Sequence, residues 1–77
     1  MSLAEAPIEQ KLKISDILSG TDVRRKLSSL GIHINDCVIK VNSTKWGPVL
    51  LQNLSSGTSK VAIGRGLAEK ILVDYEN

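Results

Sequence analysis

A small, mainly β barrel with one short helix is predicted by three observations. Five short stretches of strand-like patterning and one amphipathic stretch fit into 77 residues. The β-patterned stretches are separated by short polar connections of the kind that turn a chain back on itself. Near the end, Gly64-Arg65-Gly66 interrupts an apolar strand just before a second one resumes at Ile71. A strand, a corner and another strand are what closes a small barrel, and closure removes exposed sheet edges.

Taken in order, Met1-Ser2-Leu3 is set aside as partly foreign to the fold, and Pro7 is expected to stop any helical turn begun at Leu3. Lys11-Leu12-Lys13-Ile14 alternates charged and apolar residues, as a strand with one wet face does, and the alternation slips at Asp16-Ile17-Leu18, which predicts a bulge or bend. The strand should end at Ser19-Gly20. Thr21-Asp22 then reads as a helix start, with Thr21 as the cap and Asp22 complementing the positive end of the dipole. Val23, Leu27 and Leu30 recur at helical spacing on one face, with Arg24, Arg25, Lys26, Ser28 and Ser29 pointing away. Gly31 stands where a left-handed cap is wanted, and Ile32 is placed to close the end with an apolar contact. A helix of under three turns is not stable alone, so it must dock on the sheet.

From Cys37 onward the pattern is β. Cys37, Ile39 and Val41 alternate with Val38, Lys40 and Asn42, and Val49 to Leu54 is a nearly continuous apolar run broken by Gln52 and Asn53. Between them, Asn42 to Pro48 carries Gly47-Pro48 and short polar residues, the chemistry of a hairpin loop. Ser55-Ser56-Gly57-Thr58 leads to a strand ending at Ile63. The chain then pivots at Gly64-Arg65-Gly66, makes one turn through Leu67, Ala68 and Glu69, and ends in a strand over Ile71 to Tyr75. Gly64 and Gly66 are expected to supply backbone angles closed to other residues and a close approach between chain segments.

Composition narrows the function classes. A single domain spanning 1–77 buries only about 60% of its unfolded surface, which leaves little room for an enzyme cleft. Ten Lys or Arg against eight Asp or Glu give a net charge of +2 spread along the sequence, unlike the concentrated basic face of a nucleic-acid binder. Trp46 and Tyr75 are the only aromatics, too few for base stacking. Cys37 is the single cysteine, as suits a reducing compartment, and no membrane span or signal peptide is apparent, so the cytoplasm is expected.

Chemical motifs are sparse. His33 and Cys37, four apart with Asp36 between, are the weak metal candidates. The preferred reading is a loop histidine and a cysteine at the core edge, with a transient metal contact left open. Neither has a positioned third partner for nucleophilic catalysis, and Gly64-Arg65-Gly66 lacks the third glycine of a dinucleotide fingerprint. No enzyme and no cofactor are expected. Partner binding is the remaining chemistry. Trp46 is either an interface anchor at a loop tip or folds back over the barrel end. Arg24, Arg25 and Lys26 form either a basic docking shelf or simply the wet side of the helix. Arg65 either meets a partner or tethers the corner through backbone carbonyls.

Four runs in order resemble the FeoA family of bacterial ferrous iron uptake. They are Leu3 to Ala6, the Arg-x-x-Leu-x-x-Leu-Gly-Ile run from Arg24 to Ile32, Trp46-Gly47-Pro48-Val49-Leu50-Leu51, and Ala62-Ile63-Gly64-Arg65-Gly66 leading to the terminal strand. Where that family's helix-to-strand link carries Pro-Gly, this chain has Ile34-Asn35, with Asp36 kept; Asn tolerates the left-handed conformation the turn needs. The resemblance implies an SH3-like five-stranded β-barrel, with Gly31, Gly47, Pro48, Gly64 and Gly66 as its structural residues. It implies a non-enzymatic cytoplasmic accessory protein that binds or regulates the FeoB-type permease through the permease's cytosolic part, without membrane insertion. No resident cofactor is implied, and a weak or transient Fe2+ contact at His33 or Cys37 stays open; a homodimer is open too, because free strand edges of a small barrel can pair. Two alternatives are carried: a regulatory module related to the C-terminal domain of metal-dependent repressors, and a small nucleic-acid-binding barrel.

Overall fold

The computed structural model describes residues 1–18, 20–43, 47–55 and 60–76. Its elements run β1 (Lys11–Ile17), α1 (Thr21–Ser29), β2 (Cys37–Ser43), β3 (Val49–Asn53), β4 (Lys60–Ile63), α2 (Arg65–Ala68) and β5 (Ile71–Tyr75). The five strands form one antiparallel sheet in the order β4-β3-β2-β1-β5. The sheet wraps a core of Leu12, Ile14, Ile17, Val38, Val49, Leu51, Ile63, Ile71 and Val73, onto which Leu27, Ile32 and Ala68 pack.

The predicted slip in β1 is a bulge. The register with β5 shifts between Ile14 and Asp16, so the inward residues Leu12 and Ile14 are followed by Ile17 rather than Asp16. Local hydrogen bonds hold it: Ile17 N–H donates to Asp16 Oδ1 (2.8 Å) and Ser15 Oγ to Leu72 O (3.2 Å). A one-residue insertion is what returns the third apolar side chain to the core face.

The helix end also matches expectation. Gly31 has φ 82°, its N–H donates to Ser28 O, and Ile32 N–H reaches back to Leu27 O, each at 2.9 Å. This is the paired bonding of a Schellman cap, with Ile32 and Leu27 both fully buried beneath it. Two details differ. Gly20, not Thr21, is the N-cap; Thr21 is the first helical residue and no side chain caps the helix. Leu30 is the C-cap residue and is 39% exposed, because the left-handed step at Gly31 sends Ile32 into the core place that helical spacing assigns to Leu30.

The glycine corner is made differently from the expectation. Gly64 has φ −58° and ψ 146°, open to any residue, and Gly66 lies inside the turn α2. A Cβ on either would meet nothing within 4 Å, so neither supplies a forbidden angle or a close approach. A short helical turn docked by Ala68 forms the corner. Nor do β4 and β5 pair across it; they are the two ends of the sheet. The outer edge of β5 is covered instead by Met1-Ser2-Leu3, so these residues, expected to be partly foreign to the fold, are built into it. Leu3 N–H donates to Ile71 O and Val73 N–H to Met1 O, both at 2.8 Å, and Leu3 is fully buried.

Candidate functional site

Two buried polar side chains anchor the two segments that lie over the sheet. Lys40 shares the inward face of β2 with Val38 and is 2% exposed. Its Nζ donates to Ala4 O (2.9 Å) and Ala6 O (2.8 Å), carbonyls of the turn that follows Leu3. Burial, and secondarily the positive charge of Arg65, lowers its pKa from 10.5. Asn53 sits in phase with Val49 and Leu51 on the inward face of β3. Its Nδ2 donates to Gly31 O and to Asp36 Oδ2, both at 2.7 Å, and its Oδ1 accepts from Ser55 N–H at 2.9 Å.

Asp36 is thereby the knot of the helix-to-strand link. Its Oδ2 also accepts from His33 N–H at 2.8 Å. The link is stitched to β1 by Asn35 N–H to Ile14 O (2.8 Å) and Ile14 N–H to Asp36 O (2.9 Å). Asn35 adopts φ 76°, the left-handed conformation expected where the family has Pro-Gly.

This link and α1 enclose a surface pocket of about 200 Å³, lined by Ile17, Arg24, Ser28, Ile32, His33 and Ile34. Buried Ile17 and Ile32 floor it; exposed Ile34 and Arg24 stand at its rim. His33 spans from Ser28 Oγ (Nε2, 3.1 Å) towards Asp36 Oδ2 (Nδ1, 3.4 Å). That is the order of groups in a serine hydrolase, but the backbone N–H groups of the adjoining helix cap are not left to stabilise an oxyanion. The N–H groups of Leu30, Gly31 and Ile32 are spent on Leu27 and Ser28 carbonyls in the cap, and Ser28 itself lies within α1. The chain of bonds fastens the link to the helix.

The other sequence candidates fall as follows. Cys37 is half-buried at the start of β2, with its N–H donating to Ser55 Oγ at 2.9 Å. Among the described residues, no three of His, Cys, Asp and Glu converge as metal ligands. Arg24, Arg25 and Lys26 are all exposed, but successive helical residues point about 100° apart, so they do not share one shelf. Only Arg24 lines the pocket, with Nη2 3.4 Å from Asp16 Oδ1 and 3.3 Å from Ile17 O. Arg65 is half-buried in α2, near enough to Lys40 to repel it. Gly47 and Pro48 lead into β3; Trp46 lies outside the described residues. Lys40 and Asn53 were missed as site-shaping residues: Asn53 is in phase with Val49 and Leu51, but three apolar residues, Cys37, Ile39 and Val41, lie on the face opposite Lys40.

The sequence matches the FeoA domain over residues 1–75. The chain belongs to the FeoA family. It is 38% identical over 72 residues to a candidate Fe(2+) transport protein A of Methanocaldococcus jannaschii, covering 94% of this chain and 83% of that one. The crystal structure of an iron uptake regulatory protein, FeoA, superimposes with a TM-score of 0.85 at 30% identity, covering 95% of this chain and 93% of that one. FeoA of Stenotrophomonas maltophilia, solved with zinc and described as a prokaryotic SH3 domain protein, gives a TM-score of 0.75 at 25% identity, with 96% and 89% covered. The fold of this FeoA chain is thus SH3-like, and the family's business is ferrous iron transport. Among the described residues no helix is long and apolar enough to cross a membrane.

Proposed function

We propose that this FeoA chain is a non-enzymatic cytosolic adaptor that binds the FeoB-type ferrous iron permease on its cytosolic part and regulates iron passage. The observation that carries the reading is the preformed apolar pocket between α1 and the 32–34 segment, with a cation at its rim. A domain of this size acts by presenting a surface, and a fixed concavity beside charge is the feature of that surface suited to a protein partner. No resident cofactor is needed for this role; iron is the cargo of the permease. Trp46 and the exposed cations Arg25 and Lys26 belong to the same reading as further contacts.

The test is an amide NMR titration of the whole chain with the GTP-binding region of the cognate permease, with and without nucleotide. Saturable shifts at Ile17, Arg24, Ile32 and Ile34 are expected. Trp46→Ala should weaken association with the fold intact, and unchanged affinity would remove Trp46 as an anchor. No shifts at high concentration would move the partner surface to the permease's membrane portion or the role to regulation elsewhere.

A further inference from the structure

We infer that the pocket is a socket for one leucine-sized side chain of an acidic partner segment, whose neighbouring carboxylate is taken by Arg24. The inference deepens the adaptor reading by naming what the docking segment must look like. Size comes first. At about 200 Å³ the pocket is below the roughly 300–1,000 Å³ of sites for drug-sized molecules and cofactors, and it matches a side chain rather than a nucleotide. Its floor is apolar and fixed, because Ile17 and Ile32 are core residues that leave no room for a polar group to be satisfied at depth.

Charge selects the flanking residues. The carboxylate nearest the link, Asp36, is turned inward onto Asn53 and the His33 amide, and Ser28 and His33 are bonded to one another. Arg24 is different: its contacts, 3.4 Å to Asp16 Oδ1 and 3.3 Å to Ile17 O, are at the long limit of hydrogen bonding, and both side chains of the ion pair are about half exposed. It can exchange Asp16 for a ligand carboxylate with little loss. Arg25 and Lys26 add positive charge along the same helix against Asp22, while the Asp16 carboxylate faces Arg24 and that of Asp36 is held by Asn53 and the His33 amide, so the helix favours an acidic segment over a basic one.

The experiment titrates the intact labelled chain with three capped tripeptides, acetyl-Glu-Leu-Glu-amide, acetyl-Glu-Ala-Glu-amide and acetyl-Lys-Leu-Lys-amide, following Ile17, Ile32, Ile34 and the Arg24 Nε resonance. The acidic leucine peptide should bind about tenfold or more tightly than the alanine peptide, the ratio set by burying one aliphatic side chain. It should also outbind the basic peptide. Arg24→Glu, an exposed change checked for an unaltered spectrum elsewhere, should reverse the preference between the acidic and basic peptides. Equal binding of the leucine and alanine peptides, or an unchanged charge preference in Arg24→Glu, overturns the inference. So do concentration-dependent shifts at these residues in the free protein, which assign the socket to a second copy of the chain. If the peptides behave as expected but the permease does not bind, the adaptor reading fails and the socket stands; if the permease binds and the peptides do not, the reverse holds.

Discussion

Replacing Lys40 by methionine tests whether the chain start is held by a buried ammonium or merely by Leu3. Methionine keeps the length and most of the volume of the lysine stem, so little cavity is made. What is lost is a pair of charge-assisted hydrogen bonds, to Ala4 O and Ala6 O at 2.9 and 2.8 Å. Bonds to a charged group contribute about 1.5–3 kcal/mol each. Against that stand relief of the desolvation of a side chain that is 2% exposed and of the repulsion from Arg65. Desolvation costs several kcal/mol but is partly offset by the two carbonyls, so a net loss of about 1–3 kcal/mol is expected. Lys40→Ala, which adds a cavity, should lose about 3–5 kcal/mol. Urea unfolding measures the totals, and amide exchange localises them. In Lys40→Met the Leu3 and Val73 amides, bonded to Ile71 O and Met1 O, should exchange faster by a larger factor than Ile14, bonded to Asp36 O. The pH dependence has a definite sign. Burial first and Arg65 second lower the pKa of Lys40 below 10.5, so between the folded value and 10.5 the folded chain binds fewer protons than the unfolded one. Stability of the wild type relative to Lys40→Met should therefore rise with pH across that window, while the neutral amine still donates to both carbonyls. A methionine variant as stable as the wild type, with unchanged exchange at Leu3 and Val73, would refute the latch and leave Leu3 as the anchor.

Substitutions at three further positions probe the geometry. Asn53→Leu leaves Gly31 O and the Asp36 carboxylate without their shared donor and should destabilise by about 2–4 kcal/mol in urea unfolding. Gly66→Ala places a methyl in open space within α2 and should stabilise by about 0.5–1 kcal/mol, raising the thermal midpoint by about 2–8 °C in calorimetry. Asn35 at φ 76° should accept glycine with little change, whereas Asn35→Val should cost about 1–2 kcal/mol, read from chemical denaturation of the pair.

Most of the barrel is legible in local pattern because one face of each strand must be apolar and the bulge in β1 is written as a slip in alternation. The Gly31 cap is equally local: a glycine after the helical run and Ile32 beyond it suffice. What pattern does not carry is the partner of a polar residue on an inward face. Asn53 is in phase with the apolar Val49 and Leu51, but Lys40 shares its face only with Val38 and Asn42 while Cys37, Ile39 and Val41 take the other, so alternation does not mark it as inward; that the partners of both lie in the chain start and in the helix-to-strand link depends on contacts 34–36 and 17–22 residues away. The pocket was illegible for the same reason, since Ile17 comes from β1, Arg24 and Ser28 from α1, and the rest from the link. The misread glycines teach the converse. Gly64 and Gly66 look indispensable in sequence, yet their backbone angles and surroundings ask nothing of a glycine.

The same buried polar contacts explain how a domain this small offers a rigid concavity. His33 and Ile34 form one wall of the pocket, and a six-residue link from Gly31 to Asp36 would ordinarily fluctuate enough to blur it. Here Asn53 ties both ends of that link, Gly31 through its carbonyl and Asp36 through its carboxylate, and Asn35 and Asp36 are bonded to Ile14 between them. A partner that seats a side chain there does not have to order the wall first, so less of its binding free energy is lost to ordering. Stability and binding should then separate by position. Asn53→Leu should weaken the acidic leucine peptide severalfold even under conditions where the variant is fully folded. Gly66→Ala, on the far connection, should raise stability and leave that affinity unchanged. If both variants bind as the wild type does, the wall is shaped by Ile32 and the core alone, and the Asn53–Asp36 bond serves only to hold the helix end down.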